Sequence, residues 1–145
     1  MIAFVLVLAC GGLSHVLSIA DAPCPTDDPK AWAICQRVAA EARRHGVPVP
    51  VACALAYEES RFTDGPVSRV GAVGPMQVVP RYACPQGRQE GCDTVAVGVA
   101  YLGTLMRRHG LPEALCRYNA GNVCTAPARR FARAVLARAR TMSAR

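Results

Sequence analysis

The stretch VACALAYEES, residues 51–60, is apolar at nearly every position before its last residues. Pro48 and Pro50 precede it, so it predicts a helix that is buried on most sides and carries its polar residues at its end. Glu58 and Glu59 stand at that end, and on a helix their side chains point about 100° apart, so only one can face a given cleft. A poorly solvated glutamate has a raised pKa and keeps its proton near neutral pH, as a general acid must.

Four further helices and one long connecting segment are predicted around this stretch. Residues 61–89 lack a sustained helical period and are rich in glycine and proline, which indicates a long ordered loop or a hairpin with short helical turns. Capping residues and apolar spacing place the helices from Asp28 to Gly46, from Asp93 or Thr94 to Gly110, from Pro112 to Gly121 and from Pro127 to Arg140. We therefore expect a mainly α-helical domain.

The length and composition indicate one folded domain. With 145 residues, of which 52% are hydrophobic and 19% charged, the chain can bury a modest core and is too apolar for a disordered protein. Its net charge of +7 attracts anionic partners such as nucleic acid, lipid headgroups or acidic wall glycans, but the charge alone does not indicate which of them is bound. The arginine-rich C-terminal part, residues 126–145, is interpreted as a solvated helix face, or else as a surface for wall polymers, a partner protein or lipids.

The N-terminal residues predict export from the cytoplasm. Residues 1–20 contain no Lys, Arg, Asp or Glu, and Ser18 and Ala20 form a small-x-small cleavage pattern. This is typical of a signal peptide, which leaves residues 21–145 as the domain. A lipoprotein signal ending at Cys10 is the poorer match. Because no later run of about 18 apolar residues follows, we expect no permanent membrane span and a periplasmic or secreted protein.

Eight cysteines in so short a chain, together with an export signal, favour an oxidising compartment and disulfide bonds. The nearest neighbours, Cys84 with Cys92 and Cys116 with Cys124, would each close a loop, although the connectivity is open at this level. Removal of Cys10 leaves seven cysteines, so one thiol is free or pairs between chains. The Cys and His spacings are not of the zinc type, and we expect neither a metal nor a cofactor.

Four short motifs together resemble the lytic transglycosylase domain of the goose-type lysozyme superfamily. They are Glu59-Ser60, SRVGAVGPMQVVP at 68–80, Tyr101-Leu102 and YNAG at 118–121, in the family's order, and the resemblance covers about residues 47–125. It implies a small lysozyme-like helical domain that cleaves the β-1,4 bond between N-acetylmuramic acid and N-acetylglucosamine in peptidoglycan, leaving 1,6-anhydro ends. In that family the glutamate directly before the serine is catalytic, which selects Glu59.

The resemblance also implies substrate-binding roles for further residues, namely Ser60, Gly74, Met76, Gln77, Tyr118 and Asn119. Glycine lets the backbone pass close to a sugar, methionine offers an adaptable apolar surface, and the amide of glutamine can both donate to and accept from an N-acetyl group. Pro75 replaces the family's usual leucine. Tyr118 would orient Glu59, and Asn119 would bond the substrate.

Other functions remain open at this level. Asp64 could hold a water molecule as a second carboxylate, which would make the protein a lysozyme-type hydrolase, although Asp64-Gly65-Pro66 is also a typical turn. A non-catalytic muropeptide-binding module and a basic protein for another anionic polymer are further alternatives. We expect peptidoglycan strands as the partner and no nucleic acid. Small transglycosylases often accompany secretion, conjugation or pilus machines, so the resemblance also suggests a helper role.

Overall fold

The structure, a computed structural model, describes residues 24–143. Its helices are α1 (Pro29–His45), α2 (Val49–Ser60), α3 (Pro80–Ala83), α4 (Thr94–His109), α5 (Leu111–Ala120) and α6 (Ala126–Ser143), with a 3-10 turn at Pro85–Gly87. The prediction of a mainly α-helical fold is confirmed. No helix in this range is both long and apolar enough to cross a membrane. The predicted signal peptide, residues 1–20, and Cys10 lie outside the described residues.

Helix α2 is the most deeply buried element. Its residues 51–56 are all buried, which requires packing partners on every side. Small alanine side chains at three of these positions let neighbouring helices approach closely. The five long helices pack in a closed sequence, α1 on α2, α2 on α6, α6 on α5, α5 on α4 and α4 on α1. The core lies inside this arrangement, and only the last turn of α2 leaves it.

The predicted helix boundaries follow from local capping chemistry. The side chain of Asp28 accepts a hydrogen bond from the Lys30 amide at 3.0 Å, and Gly46 ends α1 in the left-handed conformation. The side chain of Asp93 accepts from the amides of Val95 and Ala96 at the start of α4. These capping side chains accept hydrogen bonds from amide groups that have no partner inside the helix. Because capping depends on residue type over a few positions, the sequence alone locates the start of each helix.

The segment between α2 and α4 combines both forms that its sequence predicts. Val73 and Val78 pair as an antiparallel bridge, and the backbone amide of Gln77 donates to the Gly74 carbonyl at 3.0 Å. Residues 73–78 therefore form a tight hairpin. Helix α3 and the 3-10 turn follow it. We refer to residues 73–78 as the hairpin.

Three disulfide bonds connect six of the described cysteines. The predicted pairs Cys84–Cys92 and Cys116–Cys124 are confirmed, and a third bond joins Cys24 to Cys35. Among the described cysteines, Cys53 keeps a free thiol, buried in α2. Burial raises the pKa of this thiol to about 12, so it is protonated and unreactive at neutral pH.

Gly98 in α4 makes room for the hairpin. A Cβ atom there would lie 2.6 Å from Cβ of Met76 and 2.9 Å from the hydroxyl oxygen of Tyr118, both far too close. The missing side chain therefore lets the hairpin and α5 meet against α4.

Gly98→Ala should consequently destabilise the protein by about 1–3 kcal/mol, because the added methyl group overpacks this contact. At an unhindered helical position the same change would stabilise by up to about 1 kcal/mol, so the sign of the effect is the test. Chemical denaturation of both proteins measures it. A variant at least as stable as the wild type would contradict the close packing at Gly98.

Candidate active site

The end of α2 is fixed by a sharp backbone reversal. Arg61 and Phe62 adopt left-handed φ angles of 59° and 60°, which non-glycine residues rarely do. The Arg61 amide donates to the Tyr57 carbonyl at 2.9 Å, and the Phe62 side chain turns back into the core, where its ring packs edge-on against Tyr57. Burial of Phe62 offsets the backbone strain. The last turn of α2, which carries Glu59, is thereby held against the interior.

Glu59 is a poorly solvated acid. Burial, and after it the negative charge of Glu58, raises the pKa of Glu59 from its usual 4.5 to about 7. Among the described residues its side chain has no ion-pair partner. The carboxyl group is therefore close to half-protonated at neutral pH, as the sequence argument for a general acid requires.

Glu58 has the opposite environment. Its carboxylate accepts from Nε of Arg138 in α6, and its other oxygen lies 3.8 Å from Nη1 of Arg61. The same two guanidinium groups lie over the ring of Tyr57, at 4.3 Å for Arg61 and 4.0 Å for Arg138. Of these two neighbouring glutamates, Glu58 is therefore paired with cations, whereas Glu59 lies in a poorly solvated site.

Two hydroxyl groups hold the hairpin in place beside Glu59. Ser60 donates to the Pro75 carbonyl at 2.9 Å, and Tyr118 donates to the Met76 carbonyl at the same distance. Consecutive carbonyls of the hairpin are therefore tied to α2 and to α5. The Met76 side chain is fully buried, so it contributes to the core and presents no surface to a ligand.

Tyr118 lies close to Glu59 although its hydroxyl bonds the hairpin. Burial, followed by the charges of Glu59 and Tyr101, raises the pKa of Tyr118 well above its usual range. Its hydroxyl consequently remains a hydrogen-bond donor at any pH near neutrality. In this structure the residue supports the hairpin rather than bonding the carboxyl of Glu59.

A groove of about 670 Å³ borders this assembly. It is lined by the rings of Tyr82, Tyr101 and Tyr118 and by the amides of Gln77, Asn119 and Asn122. Aromatic faces with a few convergent polar groups are typical of ligand-binding clefts. The structure thus brings three of the predicted site residues, Gln77, Tyr118 and Asn119, into one groove. Ser60 bonds the hairpin that carries Gln77, and Met76 lies in the core. Glu59 does not itself line the groove, but its charge acts on Tyr118, which does.

Asp64 and Gly74 line a different depression. It measures about 390 Å³ and also includes Arg37, Asp93 and Thr94. Gly74 has a φ of 73°, and a Cβ there would overlap the Thr94 side chain, so this glycine serves the contact between the hairpin and α4. Asp64 does not line the groove that contains Tyr118. No group of three or more His, Cys, Asp or Glu side chains within residues 24–143 is arranged to hold a metal.

The fold and the site define a small lysozyme-like domain with one poorly solvated acid beside a groove. Residues 36–139 match the model of the transglycosylase SLT domain, and the chain belongs to this family. The family assignment confirms the resemblance that the four motifs carried, and with it a peptidoglycan-acting function of the lytic transglycosylase type. A comparison with curated proteins gives no match.

Several residues of the site have no assigned role at the sequence level. Tyr101 stacks at 5.5 Å on Tyr118, and Tyr82 is 80% exposed at the groove. Tyr101 belongs to one of the four motifs and Tyr82 follows another by two positions, which was the available signal for both. Gly98 interrupts a helical pattern, which indicates close packing. Arg138 gave no signal, because its partner Glu58 is 80 positions away in the sequence.

The raised pKa of Glu59 predicts a pH-dependent gain in stability for Glu59→Gln. The folded-state pKa of about 7 exceeds the unfolded value near 4.5, so the contribution of the protonated carboxyl is complete below about pH 4.5 and is lost as the pH rises through 7. Glutamine avoids that loss. Denaturation curves should show the variant more stable than the wild type by up to about 3 kcal/mol at pH 8, and nearly equal to it at pH 4.

Glu58→Gln is the matched control for this prediction. It removes the partner of Arg138, so it should lower stability at pH 8 instead of raising it. An equal gain for Glu59→Gln at both pH values would contradict a raised pKa, since the effect would then come from packing.

Proposed function

We propose that this protein is a peptidoglycan lytic transglycosylase with Glu59 as its single acid and base. In this proposal it cleaves the β-1,4 bond from N-acetylmuramic acid to N-acetylglucosamine and leaves a 1,6-anhydro end. The observation that carries the proposal is the contrast between two adjacent glutamates of an SLT domain: Glu58 is ion-paired with Arg138, whereas Glu59 has no ion-pair partner among the described residues and burial raises its pKa to about 7.

One group can serve as acid and base only if both of its forms are accessible at the working pH. A carboxyl with a pKa near 7 meets this condition, whereas an exposed glutamate near 4.5 would be almost entirely ionised. In the first step, the Glu59 carboxyl donates its proton to the glycosidic oxygen as the bond to C1 of the muramyl residue breaks. The N-acetyl oxygen of the same sugar stabilises the cationic C1.

In the second step, the Glu59 carboxylate takes the proton of the muramyl C6 hydroxyl. The C6 oxygen then bonds to C1, which closes the anhydro ring and returns Glu59 to its protonated form. No water is consumed, so no second carboxylate is needed to activate one.

The groove supports an amino-sugar polymer as the substrate. Tyrosine rings offer flat apolar surfaces for sugar rings, and the amides of Gln77 and Asn119 can pair with N-acetyl groups. The net charge of +7 favours an anionic partner, which peptidoglycan with its acidic stem peptides provides.

We also propose that the protein acts in the periplasm or outside the cell. Three disulfide bonds in the described part of the chain are typical of an oxidising compartment, and peptidoglycan lies outside the cytoplasm. A helper role beside a secretion, conjugation or pilus machine remains a prediction from the resemblance alone.

The test is mass analysis of fragments released from purified peptidoglycan by the oxidised wild-type protein and by Glu59→Gln. We expect anhydro ends from the wild type, each lighter by one water than a hydrolysed end. Glu59→Gln should release at least about 10³-fold less product, because its amide cannot transfer the proton.

Reducing ends in place of anhydro ends would contradict the lyase assignment and indicate a lysozyme-type hydrolase; Asp64→Asn would then be the variant to assay. Binding of glycan strands without any product would support a non-catalytic binding module. Binding that ignores amino sugars and disappears with added salt would indicate another anionic polymer.

A further inference from the structure

The C-terminal helix α6 reaches the end of α2 through one side chain, Arg138. Its guanidinium group lies 4.0 Å from the centre of the Tyr57 ring, and its Nε donates to the Glu58 carboxylate. The Arg138 side chain is 33% exposed and that of Glu58 only 16% exposed. A pair this well buried is screened less by solvent and salt than a surface pair.

The charged and titratable groups around Glu59 and its neighbours come from four helices and one turn. Glu58 on α2 and Tyr118 on α5 act on Glu59 directly. Arg61 in the turn after α2 and Arg138 on α6 contact Glu58 and Tyr57, and Tyr101 on α4 packs on Tyr118. The raised pKa of Tyr118 keeps its hydroxyl neutral near pH 7. The fixed charges next to Glu59 are therefore one carboxylate and two guanidinium groups. Arg61 is 57% exposed and lies at 3.8 Å, so Arg138 is the stronger partner of Glu58.

We propose that Arg138 is a positioning residue for Glu59. By pairing with Glu58 and stacking on Tyr57, it holds the last turn of α2 in place and balances the negative charge beside the acid. This inference rests on the proposed role of Glu59 and assigns to α6 the control of the pH range over which the acid works.

The argument follows from Coulomb's law. Glu58 is adjacent to Glu59 in sequence, and its negative charge disfavours ionisation of Glu59. Arg138 adds a positive charge in contact with that carboxylate, so it offsets part of the effect of Glu58 on Glu59. Relative to the wild type, removal of Arg138 makes the local charge more negative by one unit, removal of Glu58 makes it more positive by one unit, and removal of both leaves it unchanged.

The other arginines of α6 provide the control. Arg130, Arg133 and Arg140 are exposed and form no ion pair among the described residues. Arg133→Gln removes the same charge from the same helix without touching α2, so it separates a local effect from the general loss of positive charge.

The experiment is a ¹³C NMR titration of the Glu59 carboxyl in the wild type, Arg138→Gln, Glu58→Gln, the double variant and Arg133→Gln. We expect the midpoint to rise by roughly one pH unit in Arg138→Gln and to fall by a similar amount in Glu58→Gln. The midpoint in the double variant should lie close to that of the wild type, and Arg133→Gln should leave the midpoint unchanged. Arg138→Lys, which keeps the charge, should titrate near the wild type.

A purely structural role for Arg138 would not give opposite shifts that cancel in the double variant. An unchanged midpoint in Arg138→Gln would overturn the inference, as would a double variant that fails to return to the wild-type midpoint. Should Arg138→Gln not fold, Arg138→Met replaces it, because its side chain can still pack on Tyr57 without the charge, and the same rise is expected. The midpoint of the pH profile of kcat/KM should follow the same order. If the wild type releases no product while the titration order holds, the proposed function fails and the charge coupling stands.

Discussion

Burial of the Glu59 carboxyl is the constraint on which the rest of the structure depends. Moving a carboxylate out of water opposes folding at neutral pH, on the order of 3 kcal/mol for a shift of this size, so other contacts must hold the last turn of α2 where it is. Phe62 does so from the core, and Ser60 and Tyr118 do so through the hairpin. Ser60 and Phe62 are neighbours of Glu59 in the sequence, whereas the hairpin and Tyr118 reach it only through the fold.

The hairpin explains why the motif residues occur together. Its carbonyls at Pro75 and Met76 accept from hydroxyl groups on two different helices, and Gly98 on a third helix lets them approach. Each of these contacts shields the end of α2 from water or shapes the groove beside it. Residues of the same motif therefore divide into those that line the groove, such as Gln77, and those that build its wall, such as Met76.

Local chemistry made much of this predictable from the sequence. The caps at Asp28 and Asp93 and the two short-range disulfides depend on residues within about ten positions of one another, so spacing is sufficient to find them. The apolar helix predicted a raised pKa for a glutamate at its end, and the family resemblance selected Glu59 over Glu58. The motif order gave the family and, through it, the groove residues Tyr118 and Asn119.

Contacts between residues far apart in the sequence could not be predicted in this way. The bond from Tyr118 to Met76 spans 42 positions and the pair of Arg138 with Glu58 spans 80, and no local pattern encodes either. For this reason the resemblance placed Met76 on a ligand surface while the residue type alone fitted core filling equally well, and the structure shows its side chain in the core. The sequence likewise gave Arg138 no role beyond a charged helix face. Which depression Asp64 would line likewise depended on the folded hairpin.

The pH dependence of kcat/KM for the wild-type protein on soluble glycan strands tests the central claim most directly, because it reports the pKa of the essential acid in the free enzyme. If burial keeps Glu59 protonated up to about pH 7, kcat/KM should stay nearly constant from about pH 5 to 6.5 and then fall, approaching roughly tenfold per unit above about pH 8. A roughly tenfold fall per unit already between about pH 5 and 7 would contradict the account, since the acid would then titrate as an ordinary solvated glutamate.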